Sequence, residues 1–139
     1  MLIIKNTVET TATPEQIWRI YEDVQTWPIW DKGIEWIRLN GQLKKDTRGK
    51  LKPKGGPTVS FEIAESTPLK SFTNISYLPL TKIIFAHNLE QKENKVYITH
   101  QVEMKGILAP FFRLVIGRNI KKDLIPSMKQ LVNLAEKKS

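Results

Sequence analysis

From Gly33 to Met104 apolar and polar residues alternate, and turn formers interrupt the alternation about every ten residues. Such a stretch folds as short strands laid side by side, because a period of two sends successive side chains to opposite faces of a sheet. The pattern predicts strands over Ile34–Asn40, Arg48–Pro53, Thr58–Glu65, Ser71–Leu78, Ile83–Gln91 and Lys95–Lys105, with a further strand from about Leu2 to Thr10. The interruptions hold Asn40-Gly41, Gly55-Gly56-Pro57, Thr67-Pro68, Pro79 and Glu93-Asn94. Strands in series joined by tight turns imply an antiparallel meander.

Helical signals frame the meander. Thr13 is placed to cap a helix, with Pro14 at its first position and Gln16 three residues on, the spacing of a capping box. Ile17, Trp18, Ile20, Tyr21 and Val24 give that helix one apolar face, and Trp27-Pro28 is expected to stop it before the chain restarts near Trp30. After the last strand, Pro110 fits a first helical turn, and Phe112, Ile116, Ile120, Leu124, Met128, Leu131 and Ala135 recur in steps of three and four. That stripe predicts a rod of about 27 residues, roughly 40 Å long, kinked at Pro126. A rod of that length needs a whole sheet to cover its apolar stripe. The expected fold is therefore α+β: a curved antiparallel sheet of about seven strands wrapped around a long C-terminal helix, with two short helices after the first strand.

The chain of 139 residues suits a single domain over residues 1–139, with no repeat or linker to divide it. Hydrophobic residues make up 40% and charged residues 26%, which fits a globular core and not a disordered chain. The absence of cysteine excludes disulfides, thiolate chemistry and thiolate metal sites. Met1-Leu2-Ile3-Ile4-Lys5 turns polar too soon for a signal peptide, and no apolar run approaches the ~20 residues of a membrane span, so a cytoplasmic location is the expectation.

Several segments carry a resemblance. Ala12-Thr13-Pro14-Glu15-Gln16-Ile17-Trp18, Trp27-Pro28-Ile29-Trp30-Asp31, Gly49-Lys50-Leu51-Lys52-Pro53, Phe85-Ala86-His87, Thr99-His100-Gln101-Val102 and Gly106-Ile107-Leu108-Ala109-Pro110 together resemble the helix-grip superfamily. This superfamily, called SRPBCC, holds START, polyketide cyclase/dehydrase and birch-pollen-allergen-like proteins. The resemblance runs over nearly the whole chain. It implies a cavity between sheet and long helix, and it names no activity, because members range from lipid carriers and hormone receptors to aromatases and cyclases. No shared catalytic motif carries over residue by residue.

The two histidines are the most informative polar residues. Ile83, Phe85, His87 and Leu89 share one strand face, and Val96, Ile98, His100, Val102 and Met104 share another. The apolar set must face the core, so both histidines point inward. A turn over Lys92 to Lys95 pairs Gln91 with Val96, and counting back sets His87 opposite His100, with Cβ atoms about 5 Å apart. The same count across Pro79 to Lys82 puts Asn74 beside His87. Such a patch either holds a ligand oxygen or moves a proton, or else forms a satisfied buried network. Burial and mutual repulsion predict that at least one ring stays neutral at pH 7.

The expected ligand-binding set is Asn74, His87, His100, Phe61, Phe72, Ser76, Phe85, Ile98, Val102, Phe112, Ile116, Ile120 and Leu124, with His87 and His100 the catalytic candidates. Val59, Ile63 and Leu78 share the same parity. Many apolar groups around few polar ones suit a hydrophobic molecule with one or two oxygens. Two histidines with no third inward ligand fall short of a metal site, and no cofactor is implied. Glu62, Glu90 and Glu103 face solvent in this register, leaving no inward carboxylate pair for hydrolysis. Trp18, Trp27 and Trp30 read as anchors of the short helices, while Trp36 has no assigned face.

The formal net charge is +8, and Lys44, Lys45, Arg48, Lys50, Lys52 and Lys54 cluster. The last four alternate along a strand, where lysines keep a face soluble and blunt edge pairing. They also suit transient contact with an anionic membrane. Without interleaved base-stacking aromatics, nucleic acid gains no support. The leading function is thus the binding of a hydrophobic small molecule or lipid. Its alternatives are a cyclase, aromatase or dehydratase using the histidines, and a ligand-free protein-interaction domain.

Overall fold

The structure, a computed structural model, describes residues 2–137; Met1, Lys138 and Ser139, part of the expected domain, lie outside the described residues. Seven antiparallel strands form one sheet: β1 (Leu2–Thr10), β2 (Ile34–Leu39), β3 (Arg48–Pro53), β4 (Val59–Thr67), β5 (Ser71–Leu78), β6 (Thr81–Lys92) and β7 (Lys95–Gly106). Their order is β1-β7-β6-β5-β4-β3-β2. The six later strands are the predicted meander. Consecutive β1 and β2 lie at opposite edges, so the segment between them must cross the sheet.

That crossing is made by α1 (Pro14–Glu22), a 3₁₀ turn (Val24–Thr26) and α2 (Trp27–Trp30). The Thr13 hydroxyl accepts from the Gln16 amide at 3.1 Å, and the Gln16 side chain accepts from the Thr13 amide at 2.8 Å, completing the capping box. Trp27-Pro28 does not stop a helix, as the sequence suggested; α1 has already ended at Glu22, and Pro28 sits in the first turn of α2. There a missing amide proton costs nothing, since first-turn amides have no intrahelical partner.

Bulges between Ile34 and Trp36 and between Ile63 and Glu65 bend the sheet. The first also settles Trp36: the extra residue lets Ile34 and Ile37 both face inward and turns Trp36 out. Gly49 is buried where β2 and β4 close in on β3; a Cβ there would overlap the Arg38 carbonyl oxygen and lie 2.9 Å from Phe61 Cε1. Gly49→Ala is expected to destabilise the protein by about 2 kcal/mol, read as a lower urea midpoint at unchanged slope. Because β3 is the second strand from the edge, its outward Arg48, Lys50 and Lys52 solubilise a face and do not blunt an edge.

The C-terminal helix runs unbroken as α3 (Ala109–Phe112), a π-helical turn (Arg113–Gly117) and α4 (Arg118–Lys137), 29 residues in all. It continues past Pro126, and the backbone irregularity it shows is the π turn upstream. Its closest packing is on β1, α1 and α2. One core cluster joins Ile17, Tyr21, Trp27, Trp30, Phe72 and Ile98 to Met128, Leu131 and Ala135; a second gathers Ile83, Val102, Met104 and Ala109 at the other end.

Candidate functional site

The β6–β7 hairpin turns at Glu93-Asn94, with Lys92 paired to Lys95, and His87 stands opposite His100 as the residue count predicts. The β5–β6 hairpin departs from the count. Leu78 pairs with Thr81, leaving Pro79-Leu80 as a two-residue turn in which Leu80 takes φ 50°. The shorter turn slips the register by one pair on the same face, so Asn74 meets Phe85, and Phe72 meets His87. The Phe72 ring stacks on His87 at 3.9 Å between centroids and 7° between planes.

The Tyr21 hydroxyl lies 2.8 Å from His100 Nε2, and His87 Nδ1–H donates to the Phe72 carbonyl at 3.2 Å. A carbonyl only accepts, so neutral His87 carries its proton on Nδ1 and leaves Nε2 as an acceptor. The two imidazoles meet edge to face at 4.6 Å, beside Trp27 and Trp30. Burial lowers the His87 pKa to about 4 against the pull of its backbone hydrogen bond. Burial, then the neighbouring His87, push His100 well below its usual value, and burial raises Tyr21. At neutral pH all three groups are uncharged.

Tyr21 was not among the expected site residues. It lies on the buried face of α1 with a hydroxyl that needs a partner, and the inward histidines were the signal that could have supplied one. A carboxylate pair was missed as well. Half-buried Asp31 accepts from the Gly33 amide at 3.0 Å. Burial chiefly, and Asp123 across from it, raise its pKa to about 6, with Lys54 opposing. These two carboxylates come together only through tertiary packing. Among the described residues no group of three or more His, Asp and Glu could hold a metal.

The expected ligand-binding residues all lie on the concave face or on the helix stripe opposite, in two sets. Phe61, Phe72 and Ile98 are sealed in the core near α1 and α2, where His87 and His100 also lie. Phe85, Phe112, Ile116 and Ile120 stay half-buried around Val102 at the other end, and Leu124 lies between. The helix stripe is thus graded: Met128, Leu131 and Ala135 are fully buried, and the four apolar residues upstream are not. Beside the half-buried set, Asn74 Oδ1, Ser76 Oγ and Thr81 Oγ1 are buried without a protein partner. Trp30 Nε1, at the sealed end, has none either.

A curved sheet closed on a long helix, with two short helices crossing its open end, defines a helix-grip protein of the SRPBCC superfamily. The chain belongs to the polyketide cyclase / dehydrase and lipid transport family, whose model matches residues 1–136. Similar solved structures include hypothetical protein jhp0584 from Helicobacter pylori, 18% identical with a TM-score of 0.77 over 96% of this chain and 88% of that one. Ara h 8.0201 is 14% identical with a TM-score of 0.72, over 98% of each chain. DynU16, a putative protein in the dynemicin biosynthetic locus, is 12% identical with a TM-score of 0.71, over 96% of this chain and 47% of that one. At these identities the likeness shows the fold. A search of curated proteins finds no match.

Proposed function

We propose that this protein binds a hydrophobic small molecule or lipid between β5–β7 and the first half of the C-terminal helix. One observation carries the reading: Phe85, Phe112, Ile116 and Ile120 stay only half-buried around Val102, while the same helix is sealed against the sheet one end further on. A core packed for stability alone closes at both ends. The unpartnered Asn74 Oδ1 and Ser76 Oγ beside them specify the polar part of the ligand. An amide oxygen only accepts, so the ligand carries a donor such as a hydroxyl on an otherwise apolar body.

Native mass spectrometry after gentle purification, followed by titration with fatty acids, sterols, quinones and aromatic polyketides, tests the reading. Ile116→Trp, which adds bulk between sheet and helix at this end, is expected to abolish binding in a folded protein. Asn74→Leu is expected to weaken binding about tenfold. A ligand held equally well by Ile116→Trp lies elsewhere, and no bound mass with any ligand favours the ligand-free interaction domain.

A cyclase or dehydratase is the competing reading, favoured by the inward-facing, neutral Tyr21–His100–His87 group. Its signature would be turnover of a bound aromatic precursor that falls a hundredfold or more in His100→Gln while binding persists.

A further inference from the structure

The side of the helix turned away from the sheet presents a second feature. Ile107, Phe111, Leu114 and Val115 are each more than half exposed, from 55% at Val115 to 79% at Ile107. Leu80, in the β5–β6 turn, is 66% exposed, and its backbone lies against Gly106 and Leu108, just before Phe111. The Leu108 amide reaches the Leu80 carbonyl at 3.5 Å, and Gly106, at φ 129°, packs so closely on Leu80 and Thr81 that a Cβ would overlap the Leu80 carbonyl oxygen. The turn and the residues leading into the helix therefore lie side by side, each carrying exposed apolar side chains. Leu114 and Val115 lie within the π turn, next to half-buried Phe112 and Ile116.

Cations dominate the charge around this surface. Lys82, Lys105, Arg113, Arg118, Lys121 and Lys122 are all exposed, and from Lys105 to Lys122 the sequence holds no Asp or Glu. Lys105 has a partner in Glu103 at 3.6 Å. A second copy of this chain would bring the same cations and the same +8 net charge to the contact. An anionic lipid surface offers both an apolar layer for the five side chains and negative headgroups for the rim.

We propose that Leu80, Ile107, Phe111, Leu114 and Val115 insert into an anionic membrane surface, held by Arg113, Arg118 and the flanking lysines. This surface is distinct from the basic face of β3, and the proposal does not require a bound ligand. The test is co-sedimentation of the full chain with phosphatidylcholine vesicles, with and without about 30% phosphatidylserine. Binding is expected only to the anionic vesicles, and it should fall as salt rises.

Because the residues are exposed, Phe111→Ser with Leu114→Ser should fold normally and lose at least tenfold in partitioning. Arg113→Gln with Arg118→Gln should lose roughly thirtyfold and flatten the salt dependence. Sedimentation unchanged by the Phe111/Leu114 pair would overturn the proposal by placing the contact elsewhere. So would a dimer, seen by analytical ultracentrifugation, that this pair dissolves in a protein indifferent to vesicles. Ile116→Trp separates the two proposals, since it should stop ligand binding and leave vesicle binding intact.

Discussion

Lowering the pH from 7 to 4 is expected to destabilise this protein by several kcal/mol, with the loss beginning well above the usual carboxylate range. The cause is the buried imidazole pair. In the unfolded chain each histidine takes up a proton near pH 6.5, whereas folded His87 resists until about pH 4 and folded His100 is likewise held well below 6.5. Between those limits the unfolded state binds more protons, so stability falls as pH falls, by about 1.4 kcal/mol per unit for each histidine. The stability is fully present above pH 6.5. From His87 alone the loss down to pH 4 is about 3 kcal/mol.

Asp31 works in the opposite direction. Its folded pKa of about 6 exceeds its unfolded value, so acidification through that range relieves a buried charge and offsets part of the loss. Urea midpoints followed by tryptophan fluorescence at several pH values from 7.5 to 4.5 check the sign. His87→Gln should flatten the profile. A profile that is already flat in the native chain would mean that the imidazoles are hydrated.

Phe72→Ala is expected to cost about 3–5 kcal/mol, a large share of the stability of a domain this size. The ring is fully buried, stacked on His87 and set edge-on to Tyr21 at 4.9 Å and Trp18 at 6.0 Å. Removing it leaves a void bordered by His87, which has room to take up a proton once water enters. The variant should therefore unfold at lower urea, and its His87 resonance should titrate closer to 6.5. Phe72→Leu, which keeps most of the volume, should cost far less. A loss under 1 kcal/mol in Phe72→Ala would show that the cluster collapses around the gap, and that the imidazoles are not held by packing.

The strands were legible because their evidence is local. Period-two alternation marked the strands to within about two residues at most ends, and the Thr13–Gln16 pair marked the start of α1. The opposition of His87 and His100 was legible too, since a tight turn fixes the register of a hairpin and counting then suffices. The neighbouring hairpin shows where counting fails. Whether Pro79-Leu80 alone or four residues made the turn depended on Leu80 taking φ 50°, which no periodicity reveals. One wrong turn length moved Asn74 from His87 to Phe85.

Tyr21 against His100 and Asp31 beside Asp123 lie further still beyond sequence reasoning. Tyr21 and His100 are 79 residues apart, and the docking of α1 on the concave face brings them together. The same holds for the gradation along the helix. Phe112 and Leu131 occupy equivalent positions in one apolar stripe, and the sequence gives both the same inward direction. Only tertiary packing, with α1 and α2 crossing at one end of the sheet and none crossing at the other, leaves Phe112 half-buried and Leu131 sealed. By itself the sequence determined which side chains face inward, because strand and helix periodicities are properties of neighbouring residues. Which inward side chains are sealed, and which stay half-buried, was decided by how the layers close on one another, which depends on contacts between residues remote in the chain.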